Sequence, residues 1–210
     1  MDVILHYIID SLAILVCITV MGFTKAYTSY KLGDVEIKNM GKVSLNPKKH
    51  FEILGFIMFL FFNYGWTAPV DTSALYYKDR KKGNILVSIV PFIVALTLAF
   101  LSFFVLRILV LNINLEAINP ISKFFNFLTV CFINFVVFNI FPIYPLFGQK
   151  LFQAILPANK AIKLSQYEKI FQVLIIFLLL SGILDTFLNF VSISIFKFMA
   201  NLLGFTLESL

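Results

Sequence analysis

NIFPIYPLFG, residues Asn139 to Gly148, decides how the rest of the chain is read. An apolar run from Phe124 to Ile140 leads straight into it. Pro142 and Pro145 then stop a helix, because each lacks a backbone N–H and fixes its own φ. The residue before each proline is pushed towards extended geometry. A kinked, irregular backbone at the end of an apolar run must be satisfied by protein or by a water-lined cavity, since lipid offers no hydrogen bonds.

The composition agrees with a polytopic membrane protein. The 210 residues are 60% apolar and 13% charged. Cys17 and Cys131 both lie in apolar runs, so no disulfide or zinc-finger spacing exists. The net charge of +6 belongs to basic loops facing the cytoplasm rather than to nucleic-acid binding.

Working outward, Val3 to Phe23 is long enough to span the hydrocarbon core. It has no basic start and no small-residue cleavage site, so it is not a signal peptide. His6 and Asp10 lie near its beginning. Lys25 to His50 is a polar loop in which VEIKN and KVSLN alternate, which predicts a small membrane-surface β-hairpin over 35–45. Phe51 to Trp66 would be roughly 24 Å long as a helix, and basic residues flank it on both sides. A re-entrant segment over 51–66 keeps both basic clusters on one side.

Further spans are predicted over 85–106, with Pro91 as a kink, over 124–140 and over 170–190. The stretch 107–123 forms an outer loop, and 191–210 an interfacial segment. The chain is then one integral membrane domain, 1–210: an all-α polytopic core of about four spans, a re-entrant segment and a surface hairpin. With the N-terminus outside, only Arg107, Lys123 and Lys197 of the 17 Lys and Arg lie outside. That asymmetry fits a bacterial cytoplasmic (inner) membrane.

The pieces LNPKKH (Leu45–His50), GWTAPV (Gly65–Val70), the basic stretch Asp79–Gly83 and NIFPIYPLFG occur in one order. In that order and spacing, the chain resembles the short bacterial branch of the site-2 protease family, the intramembrane zinc metalloproteases. The resemblance covers about Met21 to Leu151. In that family, H-E-x-x-H-A precedes a tail ending in L-G-D. Here the tail is Tyr30-Lys31-Leu32-Gly33-Asp34. Counting back, Met21 stands at the first histidine, Gly22 at the glutamate and Lys25 at the second histidine, while Ala26 matches. In the family's N-x-x-P-x-x-P-L-D-G, Asn139, Pro142, Pro145, Leu146 and Gly148 match, and Phe147 takes the aspartate position. Of G-P-x-x-N only Pro91 remains, between Val90 and Val94.

The resemblance implies a zinc site of two histidines and a carboxylate, with a glutamate activating the bound water. A thioether, a missing side chain, an ammonium and a phenyl ring cannot supply those ligands or that base. The expectation is therefore a catalytically inactive scaffold: not an enzyme, with no cofactor and no metal. Met21 and Phe147 would pack where the metal sat, and Lys25 would snorkel to the headgroups. His50 is read as an ordinary residue at the loop–membrane junction, and Cys17 as core packing.

Such a scaffold would act as a binding, assembly or regulatory subunit for other integral membrane proteins within the lipid bilayer. Partners would be held at Asn139, Pro142, Pro145 and Gly148, or by strand addition to the 35–45 hairpin. Asn139 serves equally well as the cap of its own kinked helix end. Two further readings stand beside this one. One is an active intramembrane metalloprotease with a rebuilt zinc site. The other is a membrane transport component built on Asp10, Asp185 and the asparagines. Asn126, Asn134 and Asn139 in one span predict interhelical hydrogen bonds, internal or to a partner helix.

Overall fold

In the computed structural model, which describes residues 2–112 and 120–204, the apolar runs become helices and no strand occurs among the described residues. Four helices are long and apolar enough to cross a membrane, with candidate spans at Val3–Lys31, Arg80–Val110, Pro120–Asn139 and Ile183–Leu202. They belong to α1 (Asp2–Lys31), α4 (Arg80–Asn112), α5 (Pro120–Asn139) and α9 (Ile183–Leu202). Shorter helices connect them: α2 (Val35–Asn39), α3 (Ile53–Phe62), α6 (Gly148–Ile155), α7 (Ala158–Gln166) and α8 (Glu168–Leu180). The chain is an all-helical integral membrane protein.

The core forms where α1, α4 and α5 pack together. Ile14, Ile18 and Met21 of α1 recur at helical spacing and are fully buried, with Cys17 between them. Ala95, Ala99 and Phe103 of α4 and Phe132, Phe135 and Phe138 of α5 face them in the same cluster. Small residues such as Ala13, Ala95 and Ala99 let the backbones approach, which is how helices pack when lipid removes the hydrophobic drive between them. The opposite faces, with Leu12, Ile93 and Leu101, are exposed. α9 packs on α5, and its Phe196 ring lies 4.9 Å from Phe103 of α4.

Several expectations are corrected. The predicted 35–45 hairpin is not a hairpin. Val35–Asn39 is a helical turn because Asp34 caps it, its Oδ1 accepting from the Ile37 N–H at 3.4 Å. Asp34 Oδ2 also accepts from Ser29 Oγ at 2.8 Å and the Ser73 N–H at 2.9 Å, so the carboxylate closes the end of α1 onto the 73 loop. Among the described residues no strand edge is left for strand addition.

The re-entrant reading of 51–66 is not supported either. The segment is a ten-residue helix, Ile53–Phe62, ended by Asn63 in the left-handed region (φ 60°), and it is not among the four candidate spans. An extended return follows, tied by the Ala68 N–H to the His50 carbonyl at 2.7 Å.

α1 runs to Lys31, past the expected end at Phe23, so Lys25 is helical rather than part of a loop. α4 continues through Pro91 and on to Asn112, so the expected 107–123 loop begins later, and 113–119 lies outside the described residues. The span expected over 170–190 is two helices, broken where Gly182 adopts φ 75°. The apolar helix there is Ile183–Leu202, which replaces most of the expected interfacial tail 191–210; residues 205–210 lie outside the described residues.

Candidate functional site

The site is built where α1, α4, α5 and the proline loop meet. α5 ends at Asn139, and the prolines turn the chain through 140–147 before α6 starts at Gly148. Gly148 is required here, because a Cβ would lie 2.1 Å from the Ile140 carbonyl oxygen. The turn leaves Phe147 buried under α1 and against both neighbouring helices. Its ring meets Phe135 of α5 edge-on at 5.1 Å and Phe92 of α4 at 6.5 Å.

Lys25 is 4% exposed, and its Nζ sits 4.4 Å from the centre of the Phe147 ring. The expected snorkelling is therefore not what the side chain does. The ammonium lies against an aromatic face, whose quadrupole attracts a cation. Asp71 and Lys150 are within electrostatic range of it. Lys150 Nζ also donates to the Thr72 carbonyl at 3.1 Å. Met21, one helical turn before Lys25, is fully buried in the same core cluster as Phe147.

His50 is the residue that sequence reasoning missed. It is fully buried, and its ring fills the space beside Gly22: a Cβ on Gly22 would lie 2.3 Å from His50 Nδ1 and 3.1 Å from its Cβ. His50 Nε2 pairs with the Ser44 carbonyl at 2.8 Å, so Nε2 carries the proton and donates. Nδ1 is then a lone pair with no hydrogen-bond partner. Burial holds the imidazole below its usual pKa of 6.5; the Ser44 bond opposes this and Lys42 adds to it. The only sequence signal was a glycine at a buried position of an otherwise bulky span. A gap in one helix does not announce which distant side chain fills it.

Asn139 is fully buried, and its Nδ2 donates to the Gly65 and Phe135 carbonyls, both at 2.9 Å. It thus ties the end of α5 to the return after α3 and caps its own helix end. Pro142 and Pro145 flank Ile143 and Tyr144, and the Tyr144 carbonyl accepts from Gln172 Nε2 of α8. A cleft of about 180 Å³ opens beside this loop, lined among others by Glu52, Trp66, Tyr144, Pro145, Leu146 and Gln172. The Trp66 indole N–H and Glu52 Oε2 are buried there without hydrogen-bond geometry to any partner. Burial pushes the Glu52 carboxyl above its usual range, and the nearby Trp66 and Gly55 N–H groups pull it back.

The other ionisable and sulfur groups do not converge. Asp10 pairs with His6 at 3.2 Å one turn away, and Asp185 accepts from Asn189 Nδ2 at 2.8 Å. Cys17 and Cys131 are free and buried. Among the described residues no group of three His, Cys, Asp or Glu could hold a metal ion. The side chains at 21, 22, 25 and 147 therefore do not fit a zinc ion: an ammonium faces a phenyl ring where anionic and imidazole donors would be needed.

A protein of Bacillus subtilis named "Putative zinc metalloprotease YwhC" is 35% identical to this chain over 111 residues. The likeness agrees with the resemblance to the site-2 protease family that the motif order carries. The match covers 50% of this chain, which spans about half (51%) of that relative's length. No protein-family model matches the chain, and no solved structure matches it. The match also overturns one expectation. The reading that this chain is not an enzyme came from four side chains, whereas the relative's name points towards enzyme activity.

Proposed function

We propose that this site-2-protease-like protein receives a membrane-embedded segment of another protein in the cleft beside the proline loop, as a binding, assembly or regulatory component. The observation that carries this is a cleft in which a buried indole N–H, Trp66 Nε1, and a buried carboxylate oxygen, Glu52 Oε2, lie near each other without a well-formed hydrogen bond to any described residue. An unwound backbone offers the complementary carbonyl and N–H. Pro145 and Leu146 supply an apolar wall for its side chains. The same reading places the chain in a bacterial cytoplasmic membrane with its N-terminus outside, supported by the distribution of its basic residues.

The second reading is hydrolysis of the bound segment, favoured by the name of the relative. One experiment addresses both. A photo-crosslinker at Leu54, on the cleft rim, is introduced in the native membrane, and the purified protein is analysed for metal and for cleavage of the captured segment. Capture of a membrane segment that Trp66→Phe weakens supports binding. One equivalent of zinc with chelator-sensitive cleavage moves the function to hydrolysis. Absence of any captured segment removes both.

A further inference from the structure

A second polar cleft, on a different face, makes no use of the site above. It lies between α5 and α9, has a volume of about 360 Å³, and is lined by Asn63, Asn126, Asn134, Asn189 and Ser192 within an apolar rim that includes Phe127 and Phe196. Both helices are candidate spans. Asn126 and Asn134 are eight residues apart on α5, about two turns, and face the same side. Asn189 and Ser192 are three apart on α9 and do likewise.

The inner wall is partly paired. Asn134 Nδ2 donates to the Asn63 carbonyl at 3.0 Å, and the Tyr64 hydroxyl donates to Asn189 Oδ1 at 3.0 Å. The bond to Asn63 uses the Nδ2 end of the Asn134 amide and leaves Oδ1 as its unpaired end. Asn134 is 3% exposed, and its Oδ1 has no donor. Ser192, 7% exposed, lies beside the Tyr64 hydroxyl, whose oxygen can still accept from it. The Asn63 and Asn126 side chains are exposed and make no hydrogen bond to the described residues. Lipid tails can satisfy none of these groups.

We infer that this cleft takes a transmembrane helix of another protein that presents a side-chain hydrogen-bond donor to the Asn134 carbonyl, with the exposed Asn126 amide bonding beside it. The apolar rim around a polar floor matches a single polar side chain carried on an otherwise apolar helix. The cleft has room for side chains, not for a whole helix, so the partner lies along α5 and α9 and inserts the polar group. The inference does not depend on occupancy of the cleft at the proline loop, and either can fail alone.

The test uses the full chain in lipid vesicles and two synthetic helices, one all leucine and one with a single central asparagine, read by energy transfer from the labelled protein. The asparagine helix is expected to bind roughly threefold to thirtyfold tighter. Asn126→Leu, which removes a rim side chain that makes no hydrogen bond to the described residues, reduces that preference. Asn134→Leu abolishes it, checked in parallel by helix content. Equal binding of the two helices overturns the inference and leaves water or lipid in the cleft. A preference that survives both substitutions also overturns it. So does self-association of the labelled chain that Asn126→Leu abolishes, since the occupant would then be a second copy.

Discussion

Gly22→Ala places a methyl group where His50 already sits. The new Cβ would lie 2.3 Å from His50 Nδ1, more than ~1 Å short of ordinary contact. The ring cannot simply swing away, because its own Cβ would be at 3.1 Å. Its backbone is also held, by the His50 N–H to the Pro47 carbonyl at 3.0 Å and by the Ala68 N–H to the His50 carbonyl at 2.7 Å. Withdrawal would break the bond to Ser44, worth about 1 kcal/mol net. Overpacking adds about 1–3 kcal/mol. Against this, alanine is favoured over glycine inside a helix by about 1 kcal/mol. The expected result is a net loss of about 1–3 kcal/mol in the native sequence. In a His50→Ala background the ring clash is gone and only the 3.1 Å contact with the Cβ at position 50 remains, so the same substitution should cost less than in the native sequence. Reversible unfolding in mixed micelles measures all four proteins of this cycle. If Gly22→Ala changes stability equally in both backgrounds, the two residues do not touch and the geometry assigned to the site is wrong.

The buried neutral His50 also makes stability depend on pH. Its folded pKa lies below the unfolded value of 6.5, so its contribution is present above about pH 6.5 and is lost as pH falls through the folded value. Melting temperature should fall below pH 6.5 in the native protein, and less steeply in His50→Gln. Asn139→Leu leaves the Gly65 and Phe135 carbonyls without their amide donor and should cost about 1–3 kcal/mol, seen as faster hydrogen exchange at the end of α5. Phe147→Leu removes the ring under the Lys25 ammonium and the edge contact to Phe135; a loss of about 1–3 kcal/mol is expected by micellar unfolding. A Lys25→Met change in the Phe147→Leu background should then cost less than in the native protein.

The amino-acid sequence by itself determined the solvent of this protein, and with it the helical class. Apolar runs such as Val3–Phe23 and Phe124–Ile140 can be stable in lipid only with their backbone bonds closed internally, and the helix does that locally. The proline loop was legible for the same reason, since Pro142 and Pro145 break a helix whatever surrounds them. The likeness to a named zinc metalloprotease agrees with the order of short motifs, while the inference that the chain is not an enzyme, drawn from the same residues, was overturned by the relative. Short segments were misread because local pattern does not arbitrate there. Val35–Asn39 alternates like a strand, yet the Asp34 cap makes it helical, and Asp34 is held by Ser29 and Ser73, five and 39 residues away. The last spans were misplaced because 170–202 is apolar throughout, and only the Gly182 break divides it.

Only the tertiary structure decided what the replaced positions touch. That Lys25 faces Phe147 and that His50 fills the space beside Gly22 are contacts between segments far apart in the chain. They depend on how α1, the 42–50 loop and the proline loop pack together. A residue's type fixes its charge and size, but packing fixes its neighbours, and in a membrane core the neighbours are the whole dielectric environment that a charge experiences.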